Sequence, residues 1–333
     1  KLFLRTLEFW WQEGHTAHAT YEEAQAETRQ MLDVYVDFAR NEAAVPAFIG
    51  RKSDSERFPG ADLTYSLEAM MGDRKALQAA TSHNLGQNFA RAFHIQYLDA
   101  NNEMQHCWTT SWGLSTRFIG AMIMTHGDDQ GLILPPRLAP HQVVIVPIHK
   151  NENEKATVME TVQSIQALLV AADVRVKVDD REGLTPGFKF NDWELRGVPL
   201  RVEIGPRDVA KRSVALARRD VPGREGKSFV PQDGLDAAVA DLLASIQQAL
   251  LERATAFRDE NTHQPRNYAH FKEIVSDGFA FAGWCGGADC ETAIKDETKA
   301  TNRCIPLQQP EGEGACIYCG QPANERVYFA RAY

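Results

Sequence analysis

The chain has 333 residues, of which 44% are apolar, and a formal net charge of −9. This length predicts two or three domains with real hydrophobic cores, and the negative charge excludes a protein coated in positive charge for nucleic acid, although a local basic face stays possible. No apolar run approaches the length of a membrane span, and the start shows no basic-then-apolar signal pattern. We therefore expect a soluble, cytoplasmic protein that does not bind to a membrane.

The opening segment, LRTLEFWWQEGHTAHAT (residues 4–20), mixes tryptophans with acidic, basic and imidazole side chains and alternates only partly. It predicts a strand whose polar side faces a pocket, with Trp10 on the opposite, core side. The alternative is a core strand with surface charges. Thr20 and Glu23 then form a capping box, which predicts a helix to about Asn41. Strand, loop and strand follow, with a turn at Pro59–Gly60.

A second run, CWTTSWGLSTRFIGAMIMTHGDDQG (107–131), predicts a strand up to Ser111 and a helix from Ser115 to Met124. His126, Asp128 and Asp129 at its end suggest either a metal site or a turn before a domain boundary. We favour the turn.

The proline-rich LPPRLAPHQ (134–142) marks that boundary, and the β-branched run VVIVPI after it is typical of a central parallel strand. Strands and helices then alternate, which indicates a compact α/β domain from about His141 to Pro231. A long amphipathic helix begins after Gly234. The predicted elements between these points are a helix at 154–171, the strand VRVKV, a helix at 192–196, the strand LRVEIG and a helix over 207–220.

Cysteines crowd the end of the chain and predict a metal site. Cys316 and Cys319 form a CIYCG pair, and Cys285 and Cys290 form a second pair with four residues between them. Two such pairs favour four thiolates around a structural Zn²⁺. Disulfides and free thiols are the alternatives, and Cys304 is a weaker fifth candidate.

Several long strings closely resemble prolyl-tRNA synthetase, in the form with a zinc-binding C-terminal domain. They are the opening segment, LQAATSHNLGQNFARAF, TTSWGLSTRFIGAMIMTHGDDQGLILPPRLAP and the terminal YFARAY. The resemblance implies an α+β and α/β multidomain fold: residues 1–140 are the C-terminal part of a class II catalytic domain on an antiparallel sheet. Residues 141–233 are an α/β anticodon-binding domain, and residues 234–333 a small zinc-binding α+β domain.

The resemblance implies an enzyme that activates L-proline with ATP and Mg²⁺ and transfers it to tRNA(Pro), as a homodimer. Arg5 and Arg117 match its catalytic arginines, on the α-phosphate and over the adenine. The positions that match ATP contacts are Arg5, Thr6, Phe9, Gln78, Thr81, Ser115 and Arg117. The positions that match walls of the proline pocket are Trp11, Glu13, His15, His83, Ser111, Trp112 and Gly113.

Other expectations are less specific. Four charged residues between the motifs could touch pyrophosphate, magnesium or the tRNA acceptor end: Lys52, Arg57, Glu68 and Asp73. The tail YFARAY is expected to fold back toward the active site. Base recognition is expected from polar side chains of residues 187–208 and from a local basic excess at Lys211, Arg212, Arg218, Arg219, Arg224 and Lys227.

The chain begins at Lys1 inside a patterned segment and lacks the family's first signature motif, so we expect a truncated chain with an incomplete proline pocket. The alternative function is that of a non-catalytic tRNA-binding or regulatory protein that keeps the synthetase fold. A relative that charges another amino acid is a weaker one, because the FWWQEGH walls suit a small rigid ring.

Overall fold

A computed structural model describes residues 3–310 and 314–333. The strands, in chain order, are β1 (Trp11–His18), β2 (Ala47–Arg51), β3 (Leu63–Met70), β4 (Ala76–Gly86), β5 (Gln96–Leu98), β6 (Met104–His106), β7 (Trp108–Ser115), β8 (Val143–Pro147), β9 (Val176–Val178), β10 (Leu200–Ile204), β11 (Ser213–Arg218), β12 (Lys227–Pro231), β13 (Thr262–His263), β14 (Phe279–Trp284), β15 (Ala300–Pro306) and β16 (Glu325–Arg331).

The α-helices are α1 (Tyr21–Asp37), α2 (Asn88–Phe93), α3 (Arg117–His126), α4 (Glu152–Ala171), α5 (Pro186–Leu195), α6 (Pro206–Ala210), α7 (Leu235–Glu260), α8 (Tyr268–Ser276) and α9 (Ala288–Thr298). A π-helical turn, Phe38–Glu42, continues α1. None of the helices in the described part of the chain combines the length and the apolar character needed to cross a bilayer.

The chain divides into two compact units. The first contains Lys1–Asn41, Val45–Thr125 and Thr255–Tyr333, and the second contains Glu42–Ala44 and His126–Ala254. Strands from residues 11–115 and from residues 262–331 therefore share the first unit. The three-domain division expected from the sequence stays a prediction.

A nine-stranded sheet with the order β1-β7-β4-β3-β2-β15-β16-β14-β13 builds the first unit. Its pairs are antiparallel except β13 with β14. At the β2–β15 junction, a Cβ on Gly50 would lie 2.3 Å from the carbonyl oxygen of Ile305, so only glycine allows this close approach. Beside the junction, the carboxylate of the fully buried Glu68 accepts hydrogen bonds from Lys52 Nζ (2.7 Å) and Arg303 Nη2 (2.7 Å).

The second unit is an α/β layer structure around a five-stranded sheet with the order β12-β11-β10-β8-β9. Helices α4 and α7 cover one face, where Val162 and Leu243 join the core, and α5 covers the other with Trp193. Strand β8 is fully buried and pairs in parallel with both β9 and β10. The prediction of a central parallel strand is confirmed.

Two predicted elements are wrong. The helix over 207–220 ends at Ala210, because Arg212 has a left-handed φ of 49°, and the chain continues as strand β11 between β10 and β12. The opening strand covers only Trp11–His18. Trp10 precedes it and is 80% exposed instead of lying in the core.

The start of α1 has one of the two hydrogen bonds of the predicted capping box, and in the other the donor is the N–H of the preceding residue. The Thr20 side chain accepts a hydrogen bond from the Glu23 N–H (3.2 Å), and the Glu23 carboxylate accepts one from the Ala19 N–H (3.1 Å). The helix packs its buried residues, Leu32 among them, in the first unit. Its predicted presence is therefore confirmed.

Candidate active site

A cleft with a volume of about 510 Å³ lies on the face of strands β1, β7 and β4. The strand register sets its side chains in rows, because Gly113 pairs with both Glu13 and Thr81, and Ser111 pairs with both His15 and His83. Side chains directly across neighbouring strands share a face of the sheet. The register therefore brings residues of three distant segments to one surface.

A β-bulge in β4 places two of these residues. Leu67 pairs with Ala80 and Glu68 pairs with Gln78, so Ala79 is the extra residue on the β4 side. Without a bulge, residues three apart would point to opposite faces of a strand. The bulge lets both Gln78 and Thr81 line the cleft.

Most of the predicted ATP and proline residues line this cleft. They are Phe9, Trp11, Glu13, Gln78, Thr81, His83, Ser111, Trp112, Gly113, Ser115 and Arg117. Arg5, Thr6 and His15 are outside the lining. Arg5 and Thr6 lie exposed in the segment before β1, and His15 Nε2 contacts Glu13 Oε1 at 3.1 Å near the cleft edge. The roles of all these residues stay predictions.

Sequence reasoning missed one wall of the cleft, the segment Ser53–Pro59, from which Glu56, Arg57, Phe58 and Pro59 line the cleft. The sequence predicts a loop here and offers Arg57 only as one of four residues that could touch pyrophosphate, magnesium or the tRNA acceptor end. Its charged residues beside a Pro-Gly turn were the available signal. Thr64, Ala79, Ala80 and Leu114 complete the lining.

Two arginines without acidic partners give the cleft its electrostatic character. Burial lowers the pKa of Arg117, the positive charge of Arg5 lowers it further, and Glu68 opposes both. Within residues 3–310 and 314–333, neither guanidinium has a hydrogen bond or an ion pair. Two unneutralised positive charges near each other make a site for an anion.

Aromatic rings form the apolar part. The ring centroids of Phe9 and Trp11 are 5.1 Å apart with a tilt of 51°, and those of Phe58 and His83 are 5.0 Å apart. Such pairs present flat, rigid surfaces that cost little entropy to order. The cleft therefore combines a flat apolar slot with an anion site.

His83 is held in one form by two threonines. The Thr64 hydroxyl oxygen accepts the Phe58 N–H (3.1 Å) and lies 2.9 Å from His83 Nδ1, while His83 Nε2 lies 3.0 Å from Thr81 Oγ1. Because Thr64 is buried, its hydroxyl hydrogen needs an acceptor, and Nδ1 is the one in reach. Burial lowers the pKa of His83 to about 4, against a weaker opposing effect of Glu13. The imidazole is therefore neutral near pH 7 and donates through Nε2–H to Thr81.

The four clustered cysteines converge in the last part of the first unit. The sulfur atoms of Cys285, Cys290, Cys316 and Cys319 lie within 4.8 Å of one another. Cys285 Sγ is 3.6 Å from Cys290 Sγ and 3.8 Å from Cys319 Sγ. Tetrahedral zinc with Zn–S bonds of about 2.3 Å places its sulfurs about 3.8 Å apart, so the donor set fits zinc. Cys304 is fully buried elsewhere and is outside this group.

Comparisons with known proteins agree over the whole chain. A family model of the tRNA synthetase class II core domain (G, H, P, S and T) matches residues 2–126, one of the anticodon binding domain matches 142–229, and one described as prolyl-tRNA synthetase, C-terminal, matches 268–333. The proline–tRNA ligase of Roseiflexus castenholzii is 59% identical over 332 residues, which are 99% of this chain and 69% of that protein. The chain belongs to the prolyl-tRNA synthetase family.

Other relatives of this family show the same agreement. The chloroplastic and mitochondrial proline–tRNA ligase of Arabidopsis thaliana is 54% identical, and the match covers 100% of this chain and 62% of that protein. The crystal structure of Cryptosporidium parvum prolyl-tRNA synthetase with L-proline and AMP superimposes with a TM-score of 0.94 at 40% identity, covering 100% of this chain and 71% of that one. The class II core and the anticodon-binding fold predicted from the sequence are confirmed.

The remaining charged candidates have structural partners. Lys52 and Glu68 belong to the buried cluster with Arg303, and the Asp73 carboxylate accepts hydrogen bonds from the Tyr333 hydroxyl and from Lys75 Nζ (3.1 Å). The terminal Tyr333 therefore folds onto the start of β4, the strand that carries Gln78.

Of the three residues that suggest a metal site, His126 ends α3, and Asp128 and Asp129 lie in the turn that follows it. Both carboxylate oxygens of Asp128 accept hydrogen bonds from Arg219 (2.9 and 2.6 Å), and Asp128 bridges to Gly131. His126 Nε2 donates to the Ala43 carbonyl (2.9 Å). The preference for a turn over a metal site agrees with these contacts.

In the second unit, ion pairs with carboxylates neutralise part of the predicted basic excess. Four of the basic residues have carboxylate partners: Arg212 with Asp233, Arg218 with Asp220, Arg219 with Asp128 and Lys227 with Glu203. Among the described residues, Lys211 and Arg224 have no ion pair. Less free positive charge is therefore available to RNA than the sequence suggests.

Proposed function

We propose that this chain has the activity of its family: it activates L-proline with ATP to prolyl-adenylate and transfers the prolyl group to tRNA(Pro). The observation that carries this proposal is the cleft that joins the unpartnered Arg117, with Arg5 near it, to the aromatic slot on one face of the sheet. ATP with proline supplies the anion and the rigid ring that such a cleft fits.

Arg5 would bind the α-phosphate during activation. The proline carboxylate oxygen attacks the α-phosphorus, a new phosphorus–oxygen bond forms, the bond to the β-phosphate oxygen breaks, and pyrophosphate leaves. Negative charge builds on the α-phosphate oxygens during this step. Charge-assisted hydrogen bonds from Arg5 strengthen at that moment, and such donors lower the barrier.

The adenine would stack between Phe9 and the Arg117 guanidinium, whose planar charge suits a ring face. Neutral hydrogen bonds from Gln78, Thr81 and Ser115 would orient the nucleotide. These five residues line the cleft. Arg5 and Thr6, the other residues matched to ATP contacts, lie outside its lining.

The pyrrolidine ring would lie against Trp11, with the remaining walls formed by Glu13, His15, His83, Ser111, Trp112 and Gly113. The substrate amine is a cation near pH 7. Because His83 is neutral there, it places no positive charge beside this amine. Gly113 carries no side chain between Glu13 and Thr81, which leaves room for the ring.

The metals would have separate tasks. Mg²⁺ would accompany the ATP phosphates and would neutralise charge on the pyrophosphate that leaves. Zn²⁺ would be held by the four clustered cysteines, where filled coordination makes it structural. Binding of tRNA by the second unit, a homodimer and a cytoplasmic location also belong to this proposal.

The experiment is proline-dependent exchange of pyrophosphate into ATP. It compares this chain with the same chain joined to the segment of its relatives that it does not cover. Arg5→Ala should lose about 100-fold or more in exchange rate, the usual effect of removing a donor to a developing charge. Arg137→Ala, an exposed arginine outside the cleft, is the matched control and should retain the rate. If both folded proteins lack exchange with proline, the proposal is wrong.

A further inference from the structure

The missed wall of the cleft is held in place by a residue from the far end of the chain. We call residues Ser53–Pro59 the cleft loop. Four of its members line the cleft, whereas its first and third residues, Ser53 and Ser55, donate their hydroxyl hydrogens away from the cleft to Glu291. The Ser53 bond to Glu291 Oε1 and the Ser55 bond to Oε2 are both 2.7 Å long.

Glu291 is an unusual acceptor for these bonds. Its side chain is buried, with a residue exposure of 5%, and each carboxylate oxygen accepts one serine hydroxyl. In the described part of the chain, no lysine, arginine or histidine forms an ion pair with it. A buried carboxylate needs donors, and bonds to an ionised acceptor are shorter and stronger than neutral ones. The two serines supply those donors.

The position of Glu291 on α9 makes the anchor rigid. It lies in the first turn of the helix, where the helix dipole favours a negative charge, and it directly follows Cys290 of the cysteine cluster. The other end of the cleft loop is also fixed, since the Phe58 N–H donates to Thr64. Glu56 and Arg57 lie between the two anchors. Their positions in the cleft therefore depend on both.

We propose that Glu291 is a positioning residue for the cleft: it clamps the cleft loop and thereby places Glu56, Arg57 and Phe58 around the bound substrates. The identity of those substrates rests on the proposed function, whereas the clamp itself does not. The C-terminal segment would thus contribute to substrate binding through a contact that spans 236 residues of sequence.

The test uses two variants that break the clamp from opposite sides. Glu291→Gln keeps the size of the side chain but removes its charge and turns an NH₂ group toward one serine. The double variant Ser53→Ala/Ser55→Ala removes both donors and leaves α9 intact. Asp296→Asn, an exposed carboxylate on the same helix, is the matched control.

The first readout is amide hydrogen exchange. In both clamp variants, exchange in residues 53–59 should be about tenfold faster, the equivalent of losing a charge-assisted hydrogen bond, with β3 and β4 unchanged. The second readout is kinetic: KM for proline or ATP should rise about tenfold while kcat changes by less than about threefold. Asp296→Asn should change neither.

Three results would overturn the clamp. They are unchanged exchange in the cleft loop of a folded clamp variant, a loosened loop with unchanged KM values, and a combined variant whose effect equals the product of the separate effects. If Glu291→Gln does not fold, the serine variant alone decides. If the wild type lacks proline-dependent exchange of pyrophosphate, the proposed function fails, and hydrogen exchange in the loop still decides whether Glu291 holds it.

Discussion

Replacing Glu68 with glutamine should lower the free energy of unfolding by about 3–5 kcal/mol, the usual cost of removing one partner from a buried ionic cluster. The wild-type carboxylate is fully buried and accepts from Lys52 Nζ (2.7 Å), Arg303 Nε (3.0 Å) and Arg303 Nη2 (2.7 Å). Glutamine has the same size, so no cavity forms. It leaves two buried cations without a counter-charge.

The direction of the pKa shift of Glu68 supports the sign of this effect. Burial alone would raise this pKa, but Lys52 and Arg303 more than offset that effect and hold the pKa below its usual value of 4.5. A lowered pKa in the folded state means that the carboxylate contributes stability at neutral pH, and that this contribution is lost as the pH falls through the unfolded and then the folded value. The advantage of wild type over Glu68→Gln should therefore shrink in acid.

Urea and thermal unfolding measure the effect. For a unit of this size, the loss corresponds to a fall in Tm of about 6–20 °C. Asp277→Asn is the control, because its carboxylate pairs with Arg74 while 68% exposed, and such pairs contribute about 0–1 kcal/mol. Replacing Lys52, Glu68 and Arg303 together with methionine should recover most of the loss. If Glu68→Gln costs no more than Asp277→Asn, the reasoning is refuted.

Three other changes have defined outcomes. Thr64→Val should cost about 1–3 kcal/mol of stability and raise KM, because it leaves the Phe58 N–H and His83 Nδ1 without a partner, whereas Thr64→Ser should resemble wild type in unfolding and kinetic assays. Metal analysis should find about one zinc per chain, absent from Cys290→Ser and retained in Cys304→Ser; the reverse pattern would contradict the ligand assignment. Burial lowers the pKa of His126 to about 4 from 6.5, so its contribution to stability is lost as the pH falls through this window. His126→Gln should therefore flatten the acid side of the pH–stability curve by about 1–2 kcal/mol near pH 5, and an unchanged curve would show that His126 does not titrate there.

Much of the fold can be predicted from local patterns in the sequence. Strand β8 was predicted because an unbroken β-branched run suits a strand buried on both faces, and α7 because its apolar residues recur at helical spacing. The helix over 207–220 was wrong: Val214 and Leu216 are two residues apart, which is a strand spacing, and both join the core of the second unit. The left-handed φ of Arg212 that ends α6 has no local signal in a residue type that rarely adopts it.

The candidate site also has a part that the sequence predicts and a part that it does not. The cysteine cluster follows from the spacing of two pairs, and most of the cleft from strings that resemble the family. The cleft loop was missed because its proposed position depends on contacts with Glu291. No sequence pattern around Ser53 indicates that these contacts form. Trp10 was misplaced because the strand starts one residue after it, so the alternation that put it in the core does not apply.

The most direct test of the central claim is aminoacylation with labelled proline. This chain, alone and joined to the segment of its relatives that it does not cover, would be given ATP and two tRNA transcripts that differ only in carrying a proline anticodon or another one. The account predicts prolyl-tRNA with the first transcript, at a rate that falls about 100-fold or more in Arg5→Ala. A folded, zinc-loaded protein that charges neither transcript with proline, or charges the first with a different amino acid, would contradict it.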